Sequence, residues 1–139
     1  VPQTAIIEVI DDNQDIRRML SLVLSSHGFN VRTHESAEAF MNVQDLATQR
    51  LLILDVRMPG MSGLELNTRL QAQGLKLPVI FMSGECQPHE TVAAQLSAPV
   101  DFLWKPFTTQ QLLQAIERGL QMLCTTSYLN SVDRQNIST

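Results

Sequence analysis

An acidic pair, Asp11-Asp12, closes one apolar run, a lone aspartate, Asp55, closes another, and Lys105-Pro106 follows a third far downstream. Apolar runs that stop abruptly at charge read as buried strands delivering those groups to one edge of a sheet. Carboxylates gathered at one edge repel each other unless a cation sits among them. Mg2+ (or Mn2+) is the natural guest, since it favours carboxylate oxygens and keeps several waters. A lysine ammonium nearby adds positive charge that can pair with a carboxylate or a phosphate. An edge built this way suits a divalent cation and a phosphoryl group.

The elements that must position these groups follow from the apolar pattern. A first strand runs from about Ala5 to Ile10, apolar except for Glu8. Asn13 caps a helix whose stripe is Ile16, Leu20, Val23 and His27, widened by Met19 and Leu24, and Gly28 stops it. Phe29 to Thr33 alternates like a strand near an edge, and Ser36 begins a second helix containing Ala39, Phe40 and Val43. Leu51 to Leu54 is a buried strand closed by Asp55. Pro59-Gly60 marks a turn, and Ser62 caps a helix through about Gln73. Pro78 to Met82 is a fourth strand closed by Ser83-Gly84, followed by a weaker helix over about His89 to Leu96. Val100 to Leu103 makes a last strand. Thr108 caps a final helix with Leu112, Leu113, Ile116, Leu120 and Leu123 on its apolar face.

Strand then helix, repeated five times, predicts an α/β fold with a parallel sheet, helices on both faces and right-handed crossovers. In such sheets the ligand site lies outside the carboxyl ends of the strands. Asp11, Asp12, Asp55, Ser83 and Lys105 all fall on that edge. From about Thr125 the periodicity fails, so residues 1–124 read as one domain and 125–139 as a tail or linker. At 139 residues the chain suits one domain with a real core, and its charge of -4 gives no electrostatic footprint for nucleic acid. Cys86 and Cys124 stand far apart without metal-like spacing and read as reduced thiols of a cytoplasmic protein. No apolar stretch approaches the ~18 residues a membrane span needs. Val1-Pro2-Gln3-Thr4 carries no signal-peptide pattern.

Singly, each of these residues has an ordinary explanation: Asp-Asp-Asn as a turn and helix cap, Ser-Gly as a turn, Lys-Pro as punctuation. Their conjunction at the ends of different strands favours a site. Ile10-Asp11-Asp12-Asn13, Leu54-Asp55-Val56-Arg57-Met58-Pro59-Gly60-Met61-Ser62-Gly63, Met82-Ser83-Gly84 and Phe102-Leu103-Trp104-Lys105-Pro106-Phe107 together resemble the receiver domain of bacterial two-component response regulators. The resemblance spans about residues 4–123, and the Asp55 to Gly63 segment is most similar to FixJ- and NarL-type receivers.

That resemblance implies a flavodoxin-like doubly wound sheet of strand order 2-1-3-4-5. It implies Asp55 as phospho-acceptor, taking a phosphoryl group from the phosphohistidine of a sensor histidine kinase. Mg2+ (or Mn2+) would be held by Asp12, Asp55 and the backbone carbonyl of Arg57, with Asp11 acting mostly through water. Ser83 and Lys105 would bind the phosphate, Phe102 would be the switch aromatic, and the Lys105-Pro106 bond would be cis. The domain would catalyse only its own phosphorylation and dephosphorylation. It would change its face of fourth helix, fifth strand and fifth helix, often a homodimer surface. Output would be transcriptional, through a DNA-binding effector domain missing from this chain, or would come from a stand-alone receiver acting by protein contact.

Some positions are less regular. Phe102 lacks a phenolic hydroxyl, and Ser97-Ala98-Pro99 stands where a glycine-containing turn is frequent. Trp104 reads as a surface aromatic, and Cys86 lies near Ser83 without a basic neighbour to activate it. A haloacid-dehalogenase-like phosphatase would place an aspartate two residues after its nucleophile, where this chain has Arg57. A flavodoxin-like binding module would need a hydroxyl- and glycine-rich loop after strand one, where Asp11-Asp12 would repel a phosphate.

Overall fold

The computed structural model describes residues 5–42, 49–85 and 87–137, the last stretch from 125 by its backbone alone. Its elements are β1 (Ile6–Ile10), α1 (Gln14–Ser26), β2 (Asn30–His34), α2 (Ala37–Met41), β3 (Arg50–Asp55), α3 (Gly63–Ala72), β4 (Val79–Ser83), α4 (Pro88–Leu96), β5 (Asp101–Trp104) and α5 (Thr109–Ile137). The strands form one parallel sheet in the order β2-β1-β3-β4-β5. Val43 and Cys86 lie outside the described residues.

The sheet divides the core in two. On one face Ile7, Val9, Leu51, Ile53, Ile80 and Met82 pack with Leu20 and Leu24 of α1 and with Leu112, Ile116 and Leu120 of α5. On the other, Ile10, Leu52, Leu54 and Phe81 pack with Phe40 of α2, Leu66 and Leu70 of α3 and Ala94 of α4. Burying both faces explains why β3 is buried at all six positions. Each such aliphatic side chain contributes about 1.5–3 kcal/mol on leaving water. Met19, read into the apolar stripe of α1, is instead exposed.

Element ends differ from the sequence reading by short steps with local causes. Phe29 is spent on the end of α1: its N–H bonds Leu24 O at 3.1 Å while Gly28, at φ +85°, bonds Ser25 O at 3.0 Å. That is the paired closure of a helix by a left-handed glycine, so β2 starts one residue later. Trp104 joins β5 because Ser83 is its partner in register. The last helix continues to Ile137, past the lapse in apolar periodicity near Thr125. Once a helix is nucleated, each further residue adds a hydrogen bond without a new nucleation cost.

Charge also lies inside the sheet. Glu8, fully buried in β1, receives Arg32 Nε and Nη2 at 2.9 Å each and lies 3.0 Å from His34 Nε2. The buried Arg50 places Nη1 3.2 Å from Glu8 Oε2. None of its guanidinium nitrogens has a hydrogen-bond partner among the described residues. Phe40 meets the His34 ring edge-on at 5.2 Å and closes the cluster from α2. Burial would favour a neutral Glu8, but hydrogen bonds from His34 and Arg32 outweigh it and hold the carboxyl below its usual range.

Glu8→Gln is therefore expected to cost about 3 kcal/mol in urea unfolding, because it strands two arginines beside a neutral partner. A depressed native pKa means that the unfolded chain takes up the proton first as pH falls. The Glu8 contribution is thus complete above the ordinary value of 4.5 and fades on acidification below it. The variant should show a shallower loss of stability over that acid range. Equal acid limbs in the two proteins would contradict the assignment.

Candidate functional site

Strand ends assemble the site. β1 delivers Asp11 and Asp12, β3 ends in Asp55, β4 ends in Ser83, and Lys105 follows β5. Carboxylate oxygens of Asp11, Asp12 and Asp55 all lie within 4.8 Å of one another. Lys105 Nζ donates to Asp11 Oδ2 at 2.8 Å and lies 3.5 Å from Asp55 Oδ2. Asp11 is fully buried and Asp55 is 6% exposed, while Asp12 faces solvent.

Asp11 is held on every side. Its Oδ1 accepts the Asn13 N–H at 2.8 Å, and its main-chain carbonyl accepts Arg17 Nη1 at 2.8 Å. The Asn13 side chain in turn accepts from Asp15 and Ile16, starting α1. Asp55 has a sparser environment, with the Arg57 N–H 3.4 Å from its Oδ1. Burial first, and then the charge of Asp11, push its carboxyl up to about 7 against the opposing pull of Lys105. One lysine is too little compensation for the acidic cluster, so metal-free Asp55 holds a proton more readily than an ordinary aspartate.

The loop after β3 closes tightly over Asp55. The Gly63 N–H bonds Val56 O at 3.1 Å, and a Cβ at Gly63 would stand 2.2 Å from the Asp55 carbonyl oxygen. Only glycine fits there. Glu38 of α2 braces the same loop by accepting the Met61 N–H at 2.8 Å.

On the far side, the Ser83 hydroxyl is buried and donates to the Glu85 carbonyl at 2.5 Å, while Ser83 O accepts the Lys105 N–H at 2.9 Å. The Lys105–Pro106 peptide is cis. Phe102 is half-buried, 6.4 Å from the Phe81 ring and 4.8 Å from the ring of Trp104, which is 50% exposed. The structure thus brings Asp11, Asp12, Asp55 and Lys105 together, sets Ser83 beside Lys105 through the strand ladder, and leaves Phe102 in an aromatic row on β5.

Two contacts escaped the sequence reading. Glu38 gives no local signal, since its partner Met61 is 23 positions away. The Arg57 side chain turns away from the aspartates to Glu90 of α4, with Nη2–Oε1 at 2.9 Å. Gln87-Pro88-His89-Glu90 does carry a legible cue: a proline at the helix start with a glutamate at the third position suits a capping box.

The donor set fits a magnesium ion. All three side chains offer oxygen, and the exposed Asp12 leaves room for retained water. A divalent cation would also relieve the repulsion that raises Asp55.

Comparison with known proteins gives one consistent family. The response regulator receiver domain family matches residues 7–117. The transcriptional regulatory protein FixJ of Rhizobium meliloti (strain 1021) is 35% identical over 117 residues, covering 84% of this chain and 57% of that protein. The response regulator protein TodT of Pseudomonas putida is 37% identical over 120 residues, covering 86% of this chain and 53% of its own length. The chain therefore spans little more than half the length of these relatives. Among solved structures, the response regulator StyR superposes with TM-score 0.87 at 36% identity, covering 95% of this chain and 67% of StyR. FixJ-N does so with TM-score 0.72 at 34% identity, covering 83% and 92%.

Asp55→Asn should stabilise the metal-free protein in chelator. A carboxyl raised from 3.8 to about 7 on folding binds its proton more tightly in the native state, so native stability falls as pH rises through that interval. The gain from the amide should be small near pH 4 and approach about 4 kcal/mol above pH 7, one pKa unit being worth about 1.4 kcal/mol. Added Mg2+ should narrow the difference. Thermal unfolding across pH checks both, and a gain independent of pH would refute the charge-crowding account.

Proposed function

We propose, from the premise that this chain belongs to the response regulator receiver domain family, that it is a phosphorylation-operated switch with Asp55 as the residue modified. Members of this family serve phosphorylation-dependent signalling. The observation that carries the reading here is Lys105 Nζ lying against both Asp11 and Asp55 inside the aspartate cluster.

In the reaction, an Asp55 carboxylate oxygen attacks the phosphorus of a phosphohistidine on a sensor histidine kinase. The P–O bond forms as the P–N bond breaks, and the imidazole leaves with the electron pair to take up a proton from solvent. Asp55 must be ionised to attack. Lys105 lowers the cost of ionisation and then faces the charge that develops on the phosphoryl oxygens. Asp12, Asp55 and the Arg57 carbonyl would hold Mg2+, with Asp11 contributing mostly through water, in keeping with its oxygens being engaged by Asn13 and Lys105. Such an ion would supply charge neutralisation for the transferring group, where catalysis of phosphoryl transfer chiefly lies.

The switch follows from what surrounds the new phosphate. The Ser83 hydroxyl gives up the Glu85 carbonyl for a phosphoryl oxygen, and Phe102 moves inward with it. The face formed by α4, β5 and α5 then changes. That face carries Val92, Leu96, Trp104 and Met122 as exposed apolar side chains, which supports a phosphorylation-dependent homodimer. The relatives' names support a transcriptional output, which on our reading runs through a DNA-binding domain outside residues 1–139. Residues 1–124 serve as the receiver and 125–139 as its connection. Among the described residues no helix is long and apolar enough to cross a membrane.

Incubation with acetyl phosphate or phosphoramidate and Mg2+ should add one acid-labile phosphoryl group to the wild type and none to Asp55→Asn, read by intact mass. Chelation should abolish the reaction. Lys105→Ala should slow it roughly 100-fold, the scale of losing one oxyanion partner. Undiminished labelling of Asp55→Asn would sink the assignment, and steady turnover of generic phosphate esters would favour a phosphatase instead.

A further inference from the structure

Arg57 does two things at once. Its N–H faces Asp55 Oδ1 at 3.4 Å, while its guanidinium clasps Glu90 through Nη2–Oε1 at 2.9 Å, Nε–Oε1 at 3.1 Å and Nε–Oε2 at 3.4 Å. Glu90 is the third residue of α4, and the same Oε1 accepts the Gln87 N–H at 2.8 Å to cap that helix. One carboxylate oxygen therefore joins the loop after Asp55 to the first turn of α4. Val56, Arg57, Met58, Pro59, Ser62 and Glu90 line the open cleft beneath this bridge.

Among the described residues α4 is lightly anchored in the core. The helix has nine residues and only Ala94 is buried, with Leu96 81% exposed. The bridge itself is half-exposed on the Arg57 side, and such pairs are weak in water. A phosphoryl group on Asp55 would bring about two negative charges and three strong acceptor oxygens beside the residue whose guanidinium holds Glu90. Arginine pairs bidentately with phosphate as with carboxylate, and the phosphoryl group, with more charge and one more acceptor oxygen, competes with Glu90 for Arg57.

We propose that Arg57 is a positioning residue that reports the charge state of Asp55 to α4: it tethers the helix through Glu90 in the unmodified protein and leaves Glu90 for the phosphoryl oxygens after transfer. The inference rests on Asp55 being phosphorylated. Glu90 keeps the Gln87 cap throughout, so α4 stays helical and only its tether is lost. The helix is thereby freed to shift on the sheet.

Hydrogen exchange at the Gln87, Glu90 and Thr91 amides tests this, read on the unmodified protein and after phosphoramidate and Mg2+. In the wild type, phosphorylation should speed exchange there about two- to fivefold, the range that loss of a half-exposed ion pair supports. Glu90→Gln keeps a carbonyl oxygen for the cap but not the charge, and Arg57→Gln removes the cation. Both should exchange at the faster rate before modification and change little after it. A phosphorylated wild type with unchanged exchange overturns the inference alone. So does a variant that retains the full phosphorylation-dependent increase. A wild type whose intact mass never gains a phosphoryl group overturns the functional reading as well, which keeps the two failures distinct.

Discussion

Three carboxylates share one end of a sheet with a single ammonium, and the rest of the fold accommodates that imbalance. Asp11 is tied down by Asn13, Arg17 and Lys105, so its charge is fixed in place. Asp55 takes the strain instead, held out of water beside a like charge with only partial compensation. A group in that position is responsive to any cation or phosphoryl group that arrives. The tight loop at Gly63, the Glu38 brace and the Ser83–Lys105 ladder bond all keep the cluster from relaxing by spreading apart.

Much of this was legible in the sequence because buried parallel strands announce themselves. Leu51 to Leu54 and Val79 to Met82 are unbroken apolar runs, and the residue that ends each run is necessarily at the carboxyl edge. Topology then groups Asp11, Asp55, Ser83 and Lys105 without any knowledge of distances. What stayed hidden depends on partners set by three-dimensional approach. Arg57 next to the aspartates read only as a backbone ligand, yet its side chain crosses to α4. Glu8 looked like one polar interruption in β1, whereas Arg32, His34 and Arg50 surround it. Arg50 lay one residue outside the strand read from the apolar run, and its burial follows from pairing with Ile6.

The Glu8 cluster and the aspartate site make an instructive contrast. Both are charged groups removed from water on the same sheet. At Glu8 the cations outnumber the carboxylate and depress its proton affinity. At Asp55 the carboxylates outnumber the cation and raise it. The first arrangement is locked across the usual pH range and serves as structure. The second is poised, its protonation open to whatever charge comes next to it.

The Lys105–Asp11 contact joins residues 94 positions apart. Both strands must be in place before it exists, and β5 is the last to leave the ribosome. An emerging chain therefore carries Asp55 long before it carries the ammonium that partly offsets the aspartate cluster. Until β5 docks, the three carboxylates face one another without that cation. The charge balance of the site is thus completed only when the last strand joins the sheet.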